Sequence, residues 1–192
     1  MPELPEVETM RRGVLEVNGC RIETVERRKC KLKPLTIRPT LGVFRRKAVG
    51  CRITEVTRVG KRVVLKLSSE DAIVLEPRMT GLVLVTDPPD TEHLRLRIGL
   101  SGGGPGELLY WDRRGLGSVR LLDPQKYEEQ LGPDKLGPDA LEVTVAQLRS
   151  RFHRSRREIK VALLDQKSLA GIGNPVSYTH LRAHETALRI SY

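Results

Sequence analysis

Val7, Met10, Val14 and Val17 recur at spacings of three and four, which keeps their side chains on one side of a helix. Pro5 suits a first turn, Glu6 and Glu8 complement the positive end of the helix dipole, and Gly19 supplies a stop. The pattern predicts a helix from Glu3 to Asn18. The periodicity then shortens. Runs rich in β-formers occupy 21–26, 51–56, 62–67, 72–75, 82–85, 94–100, 107–111 and 118–122, separated by turn clusters such as Ser-Ser-Glu-Asp, Thr-Asp-Pro-Pro-Asp and Ser-Gly-Gly-Gly-Pro-Gly. Together they predict an antiparallel sandwich or barrel. Leu94, Leu96, Ile98 and Leu100 alternate with Arg95, Arg97 and Gly99, which predicts one buried face and one basic face.

From Pro124 the pattern turns helical. The doublet LGPDK-LGPDA at 131–140 reads as part of a linker. Thr144 caps a helix running to His153, and Ser155 with Glu158 forms a capping box for a second run to Asp165. These two runs carry Arg149, Arg151, Arg154, Arg156, Arg157 and Lys160, a denser positive charge than solubility requires. The fold class is α+β: an N-terminal helix with an antiparallel β-sandwich or barrel over 1–123, a linker at 124–140, helices at 141–174, and a tail at 175–192.

With 192 residues, 39% of them hydrophobic, the chain can build a core. Its 34 Lys and Arg against 24 Asp and Glu leave a formal charge of +10, which suits a polyanion such as nucleic acid; a basic protein with no such partner stays open. An aromatic content of 4% argues against a base-stacking platform. Cys20, Cys30 and Cys51 are odd in number and form no C-x-x-C pair, so they read as free thiols in a reducing compartment, with no metal site. No leader opens the chain and no apolar run reaches the roughly 20 residues of a membrane span. These features predict a cytoplasmic protein with no membrane partner.

Candidate chemistry concentrates at the start. Pro2 is small enough for Met1 to be removed, which would leave a secondary amine as a nucleophile. The same residues also read as ordinary helix-start grammar. Near the other end, Leu-Ala-Gly-Ile-Gly-Asn at 169–174 predicts a tight turn that presents backbone N–H groups, with Asn174 as an added donor, to a phosphate.

Taken together, M-P-E-L-P-E-V-E at the start, Lys61 in V-G-K-R-V-V-L-K-L, R-M-T-G at 78–81, Y-W-D-R-R-G-L-G at 110–117 and L-L-D-Q-K-S-L-A-G-I-G-N at 163–174 resemble formamidopyrimidine-DNA glycosylase. Leu4 favours this branch over the related endonuclease VIII branch. The resemblance implies a bifunctional DNA glycosylase and abasic-site lyase of base excision repair. It would act as a monomer on damaged double-stranded DNA and remove oxidised purines such as 8-oxoguanine and formamidopyrimidines. Pro2 would be the nucleophile that forms an iminium, followed by β- and δ-elimination. Glu3 would shuttle protons, Glu6 would hold hydrogen bonds, and Lys61 would approach the sugar-phosphate. Met79 would fill the gap left by the flipped nucleotide, Arg114 and Leu116 would probe the orphaned base and wedge the stack, and Lys160 and Asn174 would contact phosphate or lesion. Residues 141–174 would be part of a helix-two-turns-helix domain.

Three stretches depart from that family. Arg113 and Gly115 replace a proline and an arginine in the D-P-R-R-F-G loop, and Glu-Pro-Arg at 76–78 replaces a His-Leu-Gly type sequence. The tail 175–192 replaces a further helical subdomain and the four-cysteine zinc finger that full-length members carry. That tail reads as sequencing-adapter read-through on a truncated gene model, and His180 and His184 in it do not complete a metal site. A noncatalytic damaged-DNA-binding fragment is therefore the alternative function.

Overall fold

The computed structural model describes residues 2–30, 33–153 and 157–173. Helix α1 (Leu4–Gly13) is followed by a 3₁₀ turn (Leu15–Val17), β1 (Arg21–Arg27), β2 (Thr36–Arg38), α2 (Leu41–Ala48), β3 (Ile53–Val59), β4 (Arg62–Leu67), β5 (Ala72–Glu76), β6 (Gly81–Leu84), β7 (Leu94–Ser101), β8 (Glu107–Asp112) and β9 (Ser118–Leu122). Helices α3 (Pro124–Leu131), α4 (Val145–Phe152) and α5 (Ile159–Leu164) complete it. The strands form a four-stranded sheet in the order β1-β7-β8-β6 and a five-stranded sheet in the order β2-β9-β5-β4-β3. A common core lies between them, fed by alternate residues such as Val63 and Leu65 on β4, Ile73 and Leu75 on β5, and Leu96 and Ile98 on β7. The outer face of β4 and β5 is also buried, where Val64 and Val74 meet Leu131 and Tyr127 of α3. Burial on both faces explains why these strands read as nearly continuous apolar runs.

Several expectations need correction. The first helix ends at Gly13, and the 3₁₀ turn takes over. Val14 and Val17, three apart, stay buried because a 3₁₀ turn repeats every three residues. The five-stranded sheet is mixed, because β2 joins β9 in parallel. Helix α2 was not expected, although Thr40 precedes it and Phe44 and Ala48, four apart, fill the core. The segment expected as linker begins with α3, capped by Asp123, whose carboxylate accepts the Lys126 N–H at 2.9 Å. The β7 alternation does not leave a basic face. Arg95 is 1% exposed and donates to the backbone carbonyls of Asp112, Arg113 and Lys33, while Arg97 pairs with Glu107. Helix α4 matches its expected span, with the Thr144 hydroxyl accepting from Gln147 N–H. Helix α5 starts at Ile159 with Glu158 as its cap residue, and Ser155, Arg154 and Arg156 lie outside the described residues.

Arg58 joins three parts of the chain. Its guanidinium donates to Glu8 on α1 at 3.1 Å, to the Gly60 carbonyl at 2.9 Å, and to both carboxylate oxygens of Asp139 at 2.6 and 2.7 Å. Glu8 also accepts from Arg11 and Arg12. The Arg11 hydrogen bonds, opposed by burial and reinforced by Arg12 and Arg58, hold the Glu8 carboxyl at about 2 against an ordinary 4.5. The folded state therefore keeps Glu8 ionised at pH values where the unfolded chain protonates it. Its contribution is complete above about pH 4.5 and is lost as pH falls toward 2. The stability difference between wild type and Glu8→Gln should be largest near neutral pH and shrink through this window in denaturant melts. Arg58→Ala should cost about 3 kcal/mol in the same melts, because it leaves two carboxylates without their shared cation.

Candidate active site

Glu3 is the cap residue of α1 and Pro5 lies in its first turn. The Glu6 carboxylate accepts the Glu3 backbone N–H at 2.9 Å, half of a capping box that fixes how the chain enters the helix. That entry buries Glu3 to 2% exposure and aims Pro2 into a cavity of about 400 Å³. The other walls of the cavity are Lys61, Glu76, Arg78, Met79 and Leu116.

Lys61 stands in the two-residue turn that joins β3 to β4, after Gly60. Burial pushes its ammonium below the ordinary lysine value, with Glu3 opposing and Arg62 reinforcing the shift. Met79 and Arg114 meet across the rim, where Arg114 Nη1 lies 3.3 Å from the Met79 sulfur. The loop that carries Arg114 and Leu116 is tied down by Asp112, which is 0% exposed. Its carboxylate accepts from the Thr80 hydroxyl at 2.6 Å and from the backbone N–H groups of Arg114 at 3.1 Å and Gly117 at 2.8 Å.

The 166–173 loop packs against the start of α1 and Lys61. Gln166 donates to the Ile172 carbonyl at 2.8 Å and accepts the Gly171 N–H at 3.0 Å. The Gly171 N–H is thus used within the loop, a correction to the expectation that it faces a phosphate. A Cβ at Gly173 would collide with the Glu3 carboxylate and lie 2.6 Å from Lys61 Nζ, and one at Gly171 would collide with Leu4. Both positions need glycine for close approach to the start of α1.

Of the residues expected from sequence, Pro2, Lys61, Met79 and Leu116 line one cavity, Glu3 packs beside it, and Glu6 and Arg114 support its edges. Lys160 sits half-buried on α5 and is not among the lining residues. Asn174 lies outside the described residues, as do His180 and His184. Sequence reading missed Arg58, Glu76, Arg78, Asp112 and Gln166 as parts of the site. Arg78, Asp112 and Gln166 stand inside motifs that carry the family resemblance, and Glu76 and Arg78 in the unusual Glu-Pro-Arg stretch, but the resemblance gives none of them a role. Leu169 of the 166–173 loop is buried. Among the described residues no cluster of three His, Cys, Asp or Glu side chains could hold a metal ion. A four-cysteine zinc site also does not fit this chain's three cysteines, since Cys20 is buried in the core. No helix among the described residues is long and apolar enough to cross a membrane.

The formamidopyrimidine-DNA glycosylase N-terminal domain model matches residues 1–119. A Synechococcus formamidopyrimidine-DNA glycosylase is 39% identical over 184 residues, covering 91% of this chain and 64% of the relative. The Bacillus subtilis protein of the same name is 36% identical over 179 residues, covering 91% of this chain and 63% of its own length. Among solved structures, the Lactococcus lactis Fpg in complex with an abasic site containing DNA matches with a TM-score of 0.73 and 25% identity, covering 91% of this chain and 64% of that one. The G226P mutant of the L. lactis protein, in complex with a Fapy-dG containing DNA, matches with the same TM-score at 26% identity, covering 92% of this chain and 64% of that one. The chain thus spans just under two thirds of the length of these relatives. The N-terminal helix and the two sheets agree with these matches, and the chain belongs to the formamidopyrimidine-DNA glycosylase family.

Proposed function

We propose that this chain carries the chemistry of a bifunctional DNA glycosylase and abasic-site lyase acting on oxidised purines such as 8-oxoguanine and formamidopyrimidines in cytoplasmic DNA. The observation that carries this reading is the cavity in which Pro2 faces Lys61, with Glu3 buried at its side. With Met1 removed, Pro2 is a secondary amine whose neutral form attacks C1′ of the damaged deoxynucleotide. The glycosidic bond breaks and the base departs with a proton. Glu3 protonates the sugar ring oxygen as the ring opens, leaving an iminium between the Pro2 nitrogen and C1′. Loss of a C2′ proton then expels the 3′ phosphate, and a second elimination expels the 5′ phosphate. The nearby Lys61 cation and the start of α1 disfavour a charged amine, which promotes the reactive form. Glu6 keeps the helix entry in place, and Lys61 meets the sugar-phosphate.

Met79 fills the space vacated by an extruded nucleotide, Leu116 wedges the stack, and Arg114, whose backbone N–H is held by Asp112, faces the base left unpaired. Lys160 and Asn174 contact phosphate or lesion, within a partial helix-two-turns-helix domain over 141–174. A second reading, a noncatalytic binder of damaged DNA, draws on the formal charge of +10, which suits DNA without any covalent chemistry. The two readings differ in covalent chemistry.

Borohydride reduction of the chain on abasic-site duplex should give a covalent protein–DNA band under the first reading and none under the second. Pro2→Gly should lower strand scission on the order of 100-fold, the loss expected when a positioned reacting group is removed, while salt-sensitive binding stays within threefold (~) of wild type. Unchanged scission would refute the assignment of Pro2. Gly173→Ala places a methyl group against Glu3 and Lys61. It should slow band formation by about tenfold or more while the chain remains folded by circular dichroism.

A further inference from the structure

The outer face of the five-stranded sheet carries a second constellation beside the cavity. Glu76 on β5 pairs in register with Ser118 on β9, and the β4–β5 register sets Arg62 across from it. One Glu76 carboxylate oxygen lies 3.6 Å from Arg62 Nε and 3.6 Å from Arg120 Nη2, and the other lies 3.6 Å from Arg78 Nε. These are ion-pair distances, too long for hydrogen bonds. The Nε groups of Arg62 and Arg120 are buried and have no hydrogen-bond partner.

Three guanidinium groups therefore share one carboxylate, leaving two excess positive charges and two unsatisfied donors. Arg38, alongside on β2, adds to the positive field at Arg120. Buried donors without acceptors are costly, and a guanidinium fork matches the oxygens of a phosphate. Glu76 and Arg78 also line the cavity shared by Pro2 and Lys61, so an anion held here would lie next to whatever enters it.

We propose that Arg62, Arg78 and Arg120 form a cradle for one backbone phosphate of the DNA strand whose nucleotide enters the Pro2–Lys61 cavity, and that Glu76 serves as its internal counter-ion until DNA arrives. The inference rests on the reading of the chain as a DNA enzyme. The phosphate takes the donors that Glu76 leaves unmade, and the displaced carboxylate turns outward. Glu76 thereby weakens binding to any DNA that cannot seat a phosphate in the cradle.

The test is equilibrium binding of the full chain to a duplex carrying a reduced abasic-site analogue, read by fluorescence anisotropy across a salt series. The Arg78→Gln/Arg120→Gln double variant should flatten the slope of log affinity against log salt by about one, the signature of one lost phosphate contact. Glu76→Gln should tighten binding several-fold and keep or steepen the slope. A merely structural ion network predicts the reverse: Glu76→Gln lowers the melting temperature and does not tighten binding, and the slopes stay at wild type. Those results overturn the cradle. Arg78 is exposed, so Arg78→Gln alone, with Glu76→Gln, decides the matter if the double variant does not fold. If wild type shows no salt-dependent affinity for the duplex, the DNA-enzyme reading falls together with the cradle. If wild type binds and is trapped by borohydride but the variants keep its slope and affinity, the cradle alone is wrong.

Discussion

The arrangement of the site depends on the Arg58 guanidinium. It projects from β3 with only 6% of its side chain exposed and reaches α1 through Glu8, the adjoining turn through the Gly60 carbonyl, and the 133–143 segment through Asp139. Pro2 stands at the start of α1 and Lys61 stands next to Gly60, so one side chain ties together the two elements that carry the amine and the lysine lining the cavity. A planar fork suits this task, because it engages a carboxylate through two parallel bonds and so fixes angle as well as distance. A buried ion pair of this kind gives more to the uniqueness of an arrangement than to net stability, since desolvation offsets much of its attraction. Here the gain is registration of a helix against a hairpin.

The cavity it registers is electrostatically uneven. Lys61 is pushed toward its neutral form by burial while Glu3 pulls the other way. Across the cavity, Glu76 is the single carboxylate among Arg62, Arg78 and Arg120. Its own backbone is held by the Tyr110 hydroxyl, which donates to the Glu76 carbonyl at 2.8 Å. The charges are thus mounted on strands and tight turns, where they lose little freedom on meeting a ligand. The apolar side chains at the mouth, Met79 and Leu116, are carried by loops that Asp112 knots together through Thr80, Arg114 and Gly117.

Much of this scaffold was legible in the sequence, because its signals are local. The β4 and β9 strands occupy the spans their β-rich runs predict, and α4 starts where Thr144 can cap it. Alternation failed at Arg95, because its acceptors are carbonyls of residues 33, 112 and 113, brought together only by the fold. Helix α2 was missed since its eight residues show just two core positions, Phe44 and Ala48. Within the site, the Pro2 and Lys61 motifs could be quoted from sequence through a family resemblance, yet no spacing announces that residues 2, 61, 79 and 116 converge. Arg58, Glu76 and Gln166 were illegible for the same reason: each is defined by partners remote in sequence or by a backbone that only the fold bends.

The site also draws on residues well beyond the β-sheets. Ala140 N–H donates to the Ala170 carbonyl at 3.0 Å and Ala170 N–H donates to the Pro138 carbonyl at 2.9 Å, so the strip that Arg58 anchors through Asp139 also carries the 166–173 loop. That loop ends with Gly173 against Glu3 and Lys61. A path of short contacts therefore runs from Glu8 through Arg58 and Asp139 to Ala170 and back to Glu3 at the start of the same helix. Because each link is made by a buried or half-buried group, loosening the 133–143 strip would free the loop and with it the packing beside Glu3, even though no residue of that strip lines the cavity. The first 119 residues match the family's N-terminal domain, but the geometry around Pro2 is completed by the 50 or so (~) residues that follow, as expected where loops are positioned by a rigid scaffold.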